Sequence, residues 1–243
     1  MIFPNNFDLL HLGEETIRAE SKKAIKISDD LLHHFNMVAQ SMTLIDHFAR
    51  EYTYQTNDQL IVQYLGLRLF NGMAGSVQNL MAGYYQNAVM VMRDLLEVTF
   101  LLDYFYADMS LISNWTKCSE DERSKKFSAF KVRCALDERD GFTEMKRKKY
   151  YQLLCNLGTH ASIQGFELLR PLEGGEATCG PYFADRACNA TVSELAKISQ
   201  DAAGVFTLFF EPRGVLDSRI KQNFMGARSA WFKKFFEQSP DVA

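Results

Sequence analysis

With 243 residues, 47% of them hydrophobic and 13% aromatic, the chain carries enough apolar side chain to bury a sizeable core, which excludes a disordered segment. A formal charge of -3 excludes a uniformly basic nucleic-acid binder and leaves room only for local basic patches. The five cysteines, at 118, 134, 155, 179 and 188, form no C-x-x-C pair, so buried thiols in a reducing compartment are expected rather than a disulfide framework or a zinc site.

The first stretch, MIFPNNFDLLHLGEE, has neither the basic start nor the apolar block of a secretory signal. No proline falls between residues 5 and 170, and that span is rich in Leu, Met, Ala, Lys and Glu, so helices are expected throughout it. From Glu14 to Tyr54 apolar residues recur at three- and four-residue steps (Ile17, Ala24, Ile27, Leu31, Phe35, Val38, Met42, Ile45, Phe48). That period predicts one amphipathic helix, or two joined by a short break. Asn57 or Asp58 is the expected cap of a helix reaching Met81. The next segment, Tyr84 to Ala107, is hydrophobic nearly all round and reads as a central buried helix. Arg93, Asp94 and Glu97 interrupt it and make it a poor membrane span.

Shorter helices are expected at Ser110 to Lys117 and from Glu120 to Ala135, the latter opened by Ser119 and Glu122 as a capping box. Another covers Thr143 to Thr159 and carries CNLGTH, in which Gly158 is read as the point where the helix loosens. Residues 164–190 gather glycines and prolines and predict an irregular loop or a small β-hairpin. Two helices, Thr191 to Phe210 and Leu216 to Phe236, close the chain around EPRG. The expected fold is all-α, one multi-helix bundle over residues 1–243, in a soluble, cytoplasmic protein with no membrane partner.

Within the central helix Arg93 and Glu97 stand four residues apart on one face, with Gln86 and Tyr104 on or near the same stripe. Two readings stand side by side: an internal ion pair that sets helix register, or a pair facing a polar cleft. Asn156 and His160 also lie one turn apart. A histidine near a carboxylate and an arginine is suited to general acid–base chemistry, although a lone histidine on a helix serves equally as a structural residue. The runs KRKKYY (Lys146 to Tyr151) and RSKKF (Arg123 to Phe127) combine charge with aromatics, as a phosphate-gripping patch or a solvated face would. His33 and His47 share a face without a carboxylate or cysteine at ligand spacing, so neither a metal nor a cofactor is expected. No glycine pattern suits a nucleotide loop. The aromatic C-terminal helix is core, or docks a second subunit.

The pattern YYQNAVMVMRDLLEVTFLLDYF, with YYQLLCNLGTHAS further along, resembles the HEPN-like helical domains of prokaryotes over about residues 60–165. Within that group it looks most like an uncharacterised bacterial branch with an Arg-x-x-x-Glu helix and a later Tyr…Leu…His helix. The resemblance implies a HEPN-like core and a homodimer in a stress, toxin–antitoxin or phage-defence setting. Active members are metal-independent ribonucleases with an arginine, a polar residue and a histidine on one helix. His160 matches that histidine and Asn156 the polar residue, but Cys155 stands where the arginine belongs. Arg147 lies about 220° round the helix from His160, so only Arg93, from another helix, would replace it. The resemblance therefore implies a degenerate module that binds RNA, a protein or a small ligand. The alternative is a metal-independent endoribonuclease with His160 as acid/base, Arg93 stabilising the phosphorane, and Asn156 with Glu97 orienting groups. Tyr104, Tyr151, Lys146 and Arg147 are the candidate ligand-binding residues.

Overall fold

The computed structural model describes residues 7–237; Pro4 and Pro240 lie outside them. Among the described residues there are ten α-helices and no strand. The first amphipathic stretch is two helices, α1 (Phe7–Ile27) and α2 (Asp29–Asp46), broken at Ser28, whose hydroxyl accepts from the Leu31 amide at 3.3 Å. α2 widens into a π-helical turn at His47–Glu51. The buried Gln63 amide nitrogen caps it by donating to the Phe48 and Tyr52 carbonyls at 2.9 and 2.6 Å.

α3 (Asn57–Met81) begins one residue earlier than the expected cap allows: Thr56, in extended conformation, accepts from the Gln59 amide at 3.1 Å. α4 (Tyr85–Ala107) is the central buried helix that its composition predicts. It packs against α3, against α7 (Ala129–Arg139), against α9 (Asp185–Phe206) and against the turn that follows α8 (Lys146–Leu154).

After α5 (Ser110–Lys117), the Ser119–Glu122 capping box forms as read, with both reciprocal bonds present. The helix it opens, α6, stops at Lys126 instead of running to Ala135. Ser128 supplies a second cap, accepting from the Lys131 amide at 3.5 Å, and starts α7 in a new direction. α8 likewise starts later than expected, because Met145 adopts the left-handed conformation (φ 53°) and ends the preceding loop.

Residues 164–190 resolve in favour of the loop. A 3₁₀ turn, Gln164–Leu169, is followed by irregular chain pinned by Tyr182, whose hydroxyl donates to the Leu168 carbonyl at 2.7 Å. α9 starts at Asp185, earlier than expected, and α10 spans Val215–Phe235. Phe224 and Trp231 of α10 are buried, and α10 packs on α2, so the core reading of this helix is the one observed for those two rings. No helix among the described residues is long and apolar enough to cross a membrane. The cysteines are free thiols, with Cys155 and Cys188 buried.

Candidate functional site

The polar side chains of α4 meet those of α7 and α8 at one half-buried junction. Arg93 and Glu97 form the i,i+4 pair that their spacing dictates, with Nη2 donating to Oε1 at 2.7 Å. The sequence does not reveal the third member. Tyr151, from α8, donates its hydroxyl proton to the same Glu97 oxygen at 2.6 Å and accepts from Arg93 Nε at 2.9 Å and from Arg93 Nη2. Burial, followed by the Glu97 carboxylate it donates to, pushes the Tyr151 phenol up to about 12. It therefore stays protonated at neutral pH and can donate and accept at once. Such charge-assisted bonds contribute roughly 1.5–3 kcal/mol each when fully shielded, and these are only partly so.

A fourth residue completes the junction. Arg133 of α7 is 7% exposed and lays its guanidinium 3.8 Å from the Tyr151 ring centroid, with Arg93 at 5.1 Å from the same ring. Its Nε and Nη1 are buried without a hydrogen-bond partner. The buried Cys155, one turn beyond Tyr151, lies against the Arg93 guanidinium. Two guanidinium groups thus flank one tyrosine ring, and the Glu97 carboxylate pairs with Arg93 alone of the two. Sequence reading passed over Arg133. The available signal was its place beside Ala129, Val132 and Leu136, where spacings of one, three and four residues put a charge on the apolar stripe of α7.

Stacking of this kind contributes about 0.5–2 kcal/mol, whereas each unsatisfied buried donor costs about 1–3 kcal/mol. Arg133→Met, which keeps the volume and removes the donors, is therefore expected to raise unfolding stability by about 1 kcal/mol. A urea titration showing a clear loss instead would mean that the charge of Arg133 is needed by the fold.

The remaining predicted residues lie apart from this junction. α8 widens into a π-helical turn, Cys155–Thr159, closed by the His160 amide donating to the Cys155 carbonyl at 2.7 Å. Gly158 does mark the loosening, and it does a second thing: it lets the turn press against the backbone of α4 at Val89 and Met90. His160 then turns outward in extended conformation, exposed and with no side-chain hydrogen bond or ion pair among the described residues. Asn156 is half-buried, and its carbonyl accepts from the Ser162 hydroxyl. Neither residue bonds to Arg93 or Glu97.

Arg147 is held by Asp137 at 2.8 Å and by Asp140, so its charge is answered locally. Lys146 is exposed, 3.6 Å from the Glu144 carboxylate. Tyr104 meets Phe127 edge-on at 6.3 Å. Of the paired histidines, His47 bonds Asp217 at 2.7 Å, and His33 sits beside Asp29 and Lys234. Among the described residues no group of three or more His, Cys, Asp or Glu side chains gathers where a metal could sit.

Glu97 also reaches the wall of an open groove of about 240 Å³, lined by Leu65, Leu101, Trp115, Phe127 and Val132, with the Arg68–Asp94 ion pair (2.6 Å) at its edge. The α4 pair is thus an internal brace with Tyr151, and Glu97 alone of the two also lines this mostly apolar groove, whereas Arg93 does not. Comparison of the chain with family models, with curated proteins and with solved structures returned no match.

Proposed function

We propose that the chain is a HEPN-like helical module that binds a partner and does not cut RNA. One observation carries this reading: the Arg93 guanidinium is occupied by Glu97 and Tyr151, while His160 stands exposed and unbonded to either. Acid–base cleavage of a phosphodiester needs the proton-transferring group and the cation converging on one phosphate. The cysteine at position 155, where active HEPN-like nucleases carry arginine, argues in the same direction. The groove beside Glu97 has the volume and the apolar lining for one ring or one large side chain of a partner.

The same reading includes association of two copies. Exposed Met90, Leu153, Ile163 and Phe166 surround the turn after α8 and supply apolar surface for it. Light scattering is expected to return twice the 27.8 kDa chain mass.

The test of non-catalysis is incubation of the protein with a pool of single-stranded RNAs in the presence of a chelator, alongside His160→Ala and Arg93→Ala. No product above the protein-free control is expected from any of the three. Chelator-resistant cleavage by the wild type that disappears in His160→Ala would overturn the proposal. It would instead establish the endoribonuclease, with His160 as acid/base, Arg93 as the cation, and Asn156 and Glu97 as orienting groups.

A further inference from the structure

The second half of the RSKKF run does not join the junction at Arg93. Arg123 turns inward: it pairs with Glu120 at 2.6 Å, donates to the Trp115 and Cys118 carbonyls at 3.2 Å each, and lies over the Trp115 ring at 5.4 Å. Lys125 and Lys126 instead face a groove of about 590 Å³, whose walls also include Lys117 at the end of α5 and Lys131 in the first turn of α7. The break at Ser128 is what bends α7 so that Lys131 joins the other three. All four lysines are exposed, and none has a carboxylate within ion-pair distance among the described residues.

The groove's one acidic residue, Glu122, is already engaged. Its Oε2 accepts from the Ser119 amide and hydroxyl at 3.0 Å each, closing the capping box. Four lysines therefore line one concavity that holds a single carboxylate, one oxygen of which is engaged by the capping box. Glu122, which also feels the charge of Lys126, offsets only part of their mutual repulsion, and a multiply charged anion would relieve the rest.

We infer that this groove is a binding site for a compact oligophosphate chain, held by Lys117, Lys125, Lys126 and Lys131. Lysine ammoniums act as rotatable point charges, which suits a flexible run of phosphates better than a planar carboxylate. The volume falls in the range of small-molecule sites, and the four lysines line one groove of that size, a scale that suits a compact anion. Two sources carry this chemistry, an inorganic oligophosphate and a nucleoside triphosphate. Tyr104 and Phe127 in the same wall offer ring surface that only the second would use.

Calorimetric titration with inorganic tripolyphosphate, ATP and inorganic phosphate distinguishes them. Tripolyphosphate and ATP are expected to bind, and phosphate alone to bind far more weakly. The double variants K125Q/K126Q and K117Q/K131Q are each expected to weaken binding by more than about tenfold, as loss of charge-assisted contacts does. K148Q/K149Q, which removes the same charge from α8, is expected to leave it unchanged. The four groove lysines are exposed, so a thermal melt of each groove variant should match the wild type. Equal affinity for tripolyphosphate and ATP supports a site that reads phosphates alone. A tighter ATP whose advantage disappears in Phe127→Leu supports one that reads the ring as well. Absence of tripolyphosphate and ATP binding, or an equal loss in K148Q/K149Q, overturns the inference.

Discussion

Gly158→Ala is expected to destabilise the protein by about 2–3 kcal/mol, at the upper end of what overpacking costs. A β-carbon built at this position would lie 2.6 Å from the Met90 amide nitrogen, 2.9 Å from its α-carbon and 3.0 Å from the Val89 carbonyl carbon. All three are backbone atoms of α4, in a stretch whose Ala88, Val89 and Met92 are buried. A flexible side chain could rotate away; a helix backbone locked into the core cannot. Relief would have to come from the turn Cys155–Thr159, which would move Cys155 off Arg93 and draw Tyr151 with it. Gly75, inside α3, is the control, because a β-carbon there meets nothing within 4 Å. Gly75→Ala should gain about 0.4–1 kcal/mol from reduced freedom of the unfolded chain. The measurement is the urea midpoint of both variants. A Gly158→Ala protein as stable as the wild type would show that the turn does not bear on α4.

The second large effect is acid lability through His34. This ring is 8% exposed, stacks on Phe235 at 4.1 Å, and accepts from Trp231 Nε1 through Nδ1 at 2.9 Å. An accepting Nδ1 must be unprotonated, so the fold holds the neutral imidazole. Burial, against the opposing pull of Asp30, lowers its pKa from 6.5 to about 4. The folded state disfavours the proton, so the stabilisation is complete above the unfolded value of 6.5 and is lost as pH falls from there towards 4.

The size of that loss is about 3 kcal/mol once both states are protonated. Asp140, held near 2 chiefly by its bonds to Arg139, gives up its own contribution only at lower pH. Unfolding free energies at pH 7 and pH 4.5 for wild type and His34→Gln separate the two effects. The wild type should lose markedly more than the variant over that interval. Parallel losses would remove His34 as the source.

Much of the helical frame was legible because helix chemistry is short-ranged. The absence of proline from residues 5 to 170, the nearly all-round apolar run of α4, the Ser119–Glu122 box and the Arg93–Glu97 pair each depend on residues no more than a few positions apart or on simple composition. The misses among the elements were local too, but rested on single residues. Ser128 acts as a cap inside what looks like a continuous helix, and Met145 takes a left-handed conformation that no side-chain type announces.

The site was legible only in fragments. Arg93 and Glu97 were visible as a pair, whereas Tyr151 joins them across 58 and 54 residues and Arg133 reaches the same ring from a third helix. Asn156 and His160 keep helical spacing on paper, yet the π-helical turn ends the helix between them and sends His160 outward. The partners of His34 and His47 lie 197 and 170 residues away. The residues taken alone thus determined where helices form, which faces are apolar and which charges interrupt them, since those follow from propensity, capping and period. Which of those charges meet, which are spent on one another and which are left facing a groove was decided by the docking of helices distant in the chain. That docking is set by burial summed over the whole core, a quantity that no local window of sequence contains.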